Sequence, residues 1–94
     1  MDVFTKQPSE IYTVDVSFAN VLATGETIAS YTVTATLADV VTSGVIDSYT
    51  LTNSIVYVKV KAGITGNNYK ITVVATTSLG NVYEYDVLMK VCEL

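Results

Sequence analysis

Two stretches near the end of the chain, YKITVVATT (69–77) and VYEYDVLMKV (82–91), alternate apolar and polar residues one by one. Alternation with period two places the apolar side chains on one face of an extended strand, whereas a helical face repeats every 3.6 residues. Tyr69, Ile71, Val73 and Ala75 therefore share a face. So do Tyr83, Tyr85, Val87, Met89 and Val91, opposite Glu84, Asp86, Leu88 and Lys90. The two strands also constrain the hairpin between them, because directly opposed residues point to the same side of a sheet. Both apolar sets are odd-numbered, so odd must pair with odd. A four-residue SLGN loop would set Val73 against Asp86 and fails that condition. The expectation is a three- or five-residue loop, or a bulge, around Leu79–Val82.

The same alternation recurs upstream. IYTVDVSF (11–18) puts Tyr12, Val14, Val16 and Phe18 together, and TIASYTVTATL (27–37) does so for Ala29, Tyr31, Val33, Ala35 and Leu37. IVYVKVK (55–61) sets Val56, Val58 and Val60 against Tyr57, Lys59 and Lys61, while the faces of VIDSYTL (45–51) are ambiguous. Sixteen valines and fourteen threonines favour strands at each of these places, since β-branched side chains are stiff at χ1. LADVV (37–41) carries too little periodicity for a helix and reads as a loop or a single turn. Turn signals at Ala23-Thr24-Gly25, Ser43-Gly44, Thr52-Asn53-Ser54, residues 62–68 and Ser78–Asn81 separate the strands. Six strands with one apolar face each, and a possible seventh in the N-terminal segment, predict an all-β, antiparallel, immunoglobulin-like sandwich. The expected organisation is an N-terminal arm over residues 1–9 and a single domain over 10–94.

With 94 residues, half of them apolar, the chain can fill one core without disulfide staples. No apolar run is long enough to span a membrane, and the polar start MDVFTKQPSE lacks the apolar region of a signal peptide. The single cysteine, Cys92, permits no internal disulfide, fits a reducing compartment, and reads as late-strand packing or a frayed end. Five lysines, no arginine and nine acids give a net charge of −4. That balance argues against nucleic acid and against anionic membrane surfaces as partners. There is no histidine, the commonest general base, and hence neither a zinc site nor a Cys–His pair. Asp15, Asp39, Asp47, Glu84 and Asp86 are scattered, calcium-loop and phosphate-loop patterns are absent, and no catalytic residue, metal ligand, cofactor or small-molecule substrate is expected.

One turn is more specific. In AGITGNNY (62–69), Tyr69 opens a strand three residues after Gly66. Immunoglobulin-like sandwiches often carry a tyrosine at this place, its hydroxyl bonded to backbone a few residues upstream. Gly66 would free the backbone, Asn67 and Asn68 tolerate left-handed geometry, and Ile64 would cap the core edge. The phrase resembles the L-x-P-G-x-x-Y corner of fibronectin type III domains, with Thr65 in the proline position and Ile64 displaced by one. Over most of its length the chain resembles short immunoglobulin-like proteins from the structural modules of tailed bacteriophages and prophages. The matching stretches are FTKQPSE (4–10), YTVDVS (12–17), GETIAS (25–30), GITGNNY (63–69) and VVATTSLGNVYEYDVLMKV (73–91). The resemblance implies a non-enzymatic virion protein, made in the bacterial host cytoplasm, that decorates the capsid or forms part of the neck or tail. Its implied partners are other virion proteins, copies of itself, or both.

Five residues are candidates for such contacts. Val74, Leu88 and Tyr57 interrupt otherwise polar outer faces, and Val3 and Phe4 lie in an arm that a neighbour could order. The competing function is a small adhesion or carbohydrate-binding module. Without tryptophan, it would have to build its platform from a surface tyrosine such as Tyr49 or Tyr57.

Overall fold

The computed structural model describes residues 2–42 and 44–93. Met1 of the expected arm, Ser43 of the expected turn and Leu94 lie outside the described residues. The chain is all-β, with eight strands: β1 (Asp2–Lys6), β2 (Tyr12–Ser17), β3 (Ile28–Leu37), β4 (Val40–Val41), β5 (Ile46–Thr52), β6 (Ile55–Val60), β7 (Asn68–Thr77) and β8 (Val82–Val91). They form a five-stranded sheet of order β1-β8-β7-β3-β4 and a three-stranded sheet of order β2-β6-β5. The body is elongated, 44 × 22 × 20 Å, with its strands joined by loops at two tips.

The core is the set of faces that alternation marks. Val56, Val58 and Val60 of β6, Ile71, Val73 and Ala75 of β7, and Val87, Met89 and Val91 of β8 are buried between the sheets, joined by Val16, Phe18, Ala35, Val45 and Tyr69. Tyr12, assigned to the inner face of β2, is half-exposed at the edge, where its ring lies 5.6 Å from that of Phe4. The β7–β8 hairpin pairs odd with odd, Val73 opposite Tyr85 and Ala75 opposite Tyr83. Its loop has three residues, closed by Thr77 N–H donating to the Asn81 carbonyl at 2.8 Å and by Gly80 N–H donating to the Thr77 carbonyl at 3.0 Å. Gly80 adopts φ +82°, the left-handed residue such a loop requires.

Three details depart from simple alternation. LADVV is a hairpin rather than a loop or a single turn: Leu37 pairs with Val40, and both central residues, Ala38 (φ 49°) and Asp39 (φ 66°), are left-handed, as a tight two-residue turn demands. The register of β3 against β7 shifts between Ile28 and Ser30, so Ala29 is extruded to solvent and Ile28 takes the inward place. A second shift, between Ile46 and Ser48, explains the ambiguous faces of β5. Ile46 packs inward before the bulge, and Leu51 after it, so no single parity describes the strand.

The N-terminal segment is a strand of the domain, not an arm. β1 runs parallel to β8, pairing Asp2 with Val87, Phe4 with Met89 and Lys6 with Val91. Among the described residues it is the one parallel pair in an otherwise antiparallel fold.

Candidate functional site

Four of the five candidate contact residues fall on two opposite faces, and Phe4 packs against the core. Val3 and Leu88 are paired neighbours on the outer face of the five-stranded sheet, and Val3 is 54% exposed. Val74 shares that face opposite Glu84, four residues along β8 from Leu88. Tyr57 is on the far side of the molecule, on the outer face of the three-stranded sheet between Asp15 and Thr50. Phe4 points the other way, partly buried against the core and Tyr12. Glu84 and Asp86 do share the outer face of β8, where Asp86 accepts a hydrogen bond from the Thr72 hydroxyl at 2.8 Å. Asp47 pairs with Lys61 at 3.6 Å on the surface, and Cys92 is exposed just past β8. Neither tyrosine considered for a sugar platform lies free and flat: Tyr49 meets Tyr31 edge-on at 5.8 Å, and Tyr57 is half-buried.

At one tip, the 62–69 turn is held from two sides. Tyr69 is buried, and its hydroxyl accepts the Ile64 N–H at 3.1 Å. The Ile64 side chain is 68% exposed, so this residue contributes its backbone and does not cap the core. Gly66 takes φ +89° and donates its N–H to the Val91 carbonyl. Asn67 and Asn68 take no positive φ; besides Gly66, the left-handed residues of the turn are Ala62 and Gly63. At Gly63 a Cβ would lie 2.7 Å from Val91 Cγ2, so the turn sits directly on β8.

Sequence reasoning missed the second clasp on this turn. Lys6, on the inward face of β1, is 2% exposed. Its ammonium donates to the carbonyls of Gln7 (2.6 Å), Pro8 (3.2 Å) and Ala62 (2.6 Å), which ties β1 and the turn after it to the β6–β7 connection. Burial lowers its pKa below the ordinary lysine value, and the Glu10 carboxylate opposes that shift. The only available signal was positional: Phe4 and Lys6 alternate in phase with an inward strand face.

The opposite tip is built differently. Its three segments, residues 17–28, 51–56 and 76–83, contain a single charged residue, Glu26. That carboxylate is buried and fully engaged. Oε1 accepts the Ala23 N–H at 2.9 Å, and Oε2 accepts the Thr77 hydroxyl at 2.5 Å and the Asn81 side-chain amide at 2.9 Å. The Thr77 bond above all, with Ala23 and Asn81, holds its pKa below the ordinary glutamate value against the opposing effect of burial. Glu26 thus binds the β2–β3 loop to the β7–β8 hairpin, with both of its oxygens hydrogen-bonded within the chain. Beside it, Ala19, Leu22 and Ala23 face Asn53 and Ser54 across a recess of about 320 Å³. A second cleft of about 300 Å³ opens along the side of the sandwich between β3–β4 and β5, with Val33, Ala35, Val41 and Ile46 in its walls. Among the described residues no three metal-ligating side chains cluster.

These features provide contact surfaces at two tips and on two faces. The comparisons with known proteins supply the context: residues 6–90 match the family described as podophage GP4 fiber-tail adaptor protein gp77. The chain belongs to this family. No curated protein matched it. The matched span begins at Lys6 and ends one residue before the close of β8, so the fiber-tail adaptor family covers almost the whole sandwich, including both clasps. Membership makes this a bacteriophage virion protein with a structural role.

Proposed function

We propose that this protein is a non-enzymatic joint in a podophage tail, binding tail on one side and fiber on the other through protein–protein contacts. The observation that carries this reading is the family match over residues 6–90. An elongated body with rigidly clasped loops at both tips suits that task, since contacts made at opposite ends of a stiff sandwich hold their partners at a fixed separation. Of the placements the phage resemblance allowed, the family favours neck or tail over capsid decoration. Val3, Leu88 and Val74 on the outer face of the five-stranded sheet would supply lateral contacts to neighbouring virion proteins or to further copies of the chain.

The test is a phage whose own copy of the gene is deleted. Particles are expected to assemble with tails that lack fibers, and plasmid-borne wild-type protein is expected to restore both fibers and infectivity. Fully fibred, infectious particles without the protein would defeat the reading.

A further inference from the structure

We propose that the uncharged tip is the surface that docks onto another virion protein, and that its partner presents an uncharged protrusion to the recess. This rests on the adaptor reading above and names which end makes an uncharged contact and what chemistry it meets. Loop tips are normally polar, yet Leu79 at the apex of the β7–β8 hairpin is 65% exposed, Val82 beside it 63%, and Val21 in the β2–β3 loop 49%. Singly exposed apolar residues carry no message. Here they sit together at an end whose only charge is turned inward and satisfied. The other tip also exposes apolar side chains, Val40 and Val41 among them, but intersperses them with Glu10, Asp39, Lys61, Lys90 and Glu93.

The lack of charge selects the partner. A charged group docked here would lose its water, and the one charge at this end, the Glu26 carboxylate, already holds three hydrogen bonds of its own, so the complementary surface must be neutral. Phosphate-rich ligands are disfavoured for the same reason, since no lysine stands at this end to meet them. The recess of about 320 Å³, walled by Ala19, Leu22 and Ala23 together with Glu26, Thr27, Asn53 and Ser54, has room for one or two uncharged side chains. A second copy docked tip to tip is a poor occupant, because it would set recess against recess. The end-on cross-section of 22 × 20 Å also offers only a few hundred Å², well short of the roughly 800 Å² per partner in a stable independent interface. A contact this small holds when several copies engage one multi-site partner, where effective concentration replaces area. A virion protein present as a ring or cluster of subunits has that form.

The experiment complements the gene-deleted phage with Leu79→Lys, Val21→Lys and, at the opposite tip, Val40→Lys, and measures copies per particle against wild type. Thermal melts of the purified variants are run alongside. All three are expected to melt like wild type, since each changed side chain is at least half-exposed or close to it. Leu79→Lys and Val21→Lys are expected to lower incorporation about tenfold or more, with Val40→Lys near wild type. Unimpaired incorporation of folded Leu79→Lys and Val21→Lys, or an equal loss with Val40→Lys, overturns the assignment of this tip. If wild-type protein is itself absent from particles, the adaptor reading fails and the tip proposal with it. If Leu79→Lys does not fold, Val21→Lys alone decides.

Discussion

Three buried side chains make disproportionate contributions because each closes a connection that backbone pairing leaves open. Tyr69 is one: its hydroxyl is the acceptor for Ile64 N–H, and Tyr69→Phe leaves that donor without its partner. A loss of about 1 kcal/mol is expected, read as a lower urea midpoint with an unchanged slope; an unchanged midpoint would mean that the bond contributes nothing. Glu26 links stability to pH. Its folded pKa lies below its ordinary value, so its contribution is complete above the ordinary glutamate pKa and is lost as pH falls through the lower, folded value. Melting temperature should therefore fall in the acid range below about pH 4, and should fall less steeply in Glu26→Gln, which starts lower at neutral pH. Identical acid slopes for the two proteins would remove Glu26 from the linkage. Lys6, the third, donates to three carbonyls, of which that of Gln7 also accepts the Glu10 N–H at 3.1 Å.

At the scale of elements, β1 is the most consequential. An arm can be cut away without affecting the domain, but a strand cannot. Deleting residues 1–8 strips the pairing from one edge of β8, uncovers Met89 and Val91, and removes the Lys6 clasp on the corner. The truncated chain is expected to lose its cooperative thermal transition or to melt far below wild type. A transition at the wild-type temperature would restore the arm reading. The two register shifts matter at this scale as well, because each extrudes one residue and reverses which side chains face the core.

For the molecule as a whole, elongation and charge set how free copies behave. The Cα radius of gyration is 13.7 Å, against about 12 Å for a compact domain of this length. All copies share a net charge of −4, and neither tip has the area for a strong pairwise contact. Small-angle scattering of the isolated protein is expected to show a monomer whose distance distribution ends near 44 Å. A distribution extending well beyond that would mean that copies associate without a particle to gather them.

Alternation along single strands was legible in the sequence because period two is a local property: each residue's face follows from its neighbour's. That sufficed for the all-β fold, the inward valines of β6 and the odd register of the last hairpin, and it located the turn before Tyr69. Bulges broke the inference at Ala29 and Asp47, since an extra residue is dictated by the partner strand and leaves no mark in its own. The N-terminal strand was only half legible, as a possible seventh strand within an expected arm, for a similar reason. DVFTK is too short to announce itself, and only the open edge of β8, eighty residues later in the chain, gives it a place. The tips were decided by tertiary structure alone. Segments far apart in the chain, each unremarkably neutral, become one uncharged surface only when the sandwich brings them to the same end and Glu26 is drawn inward by Thr77 and Asn81.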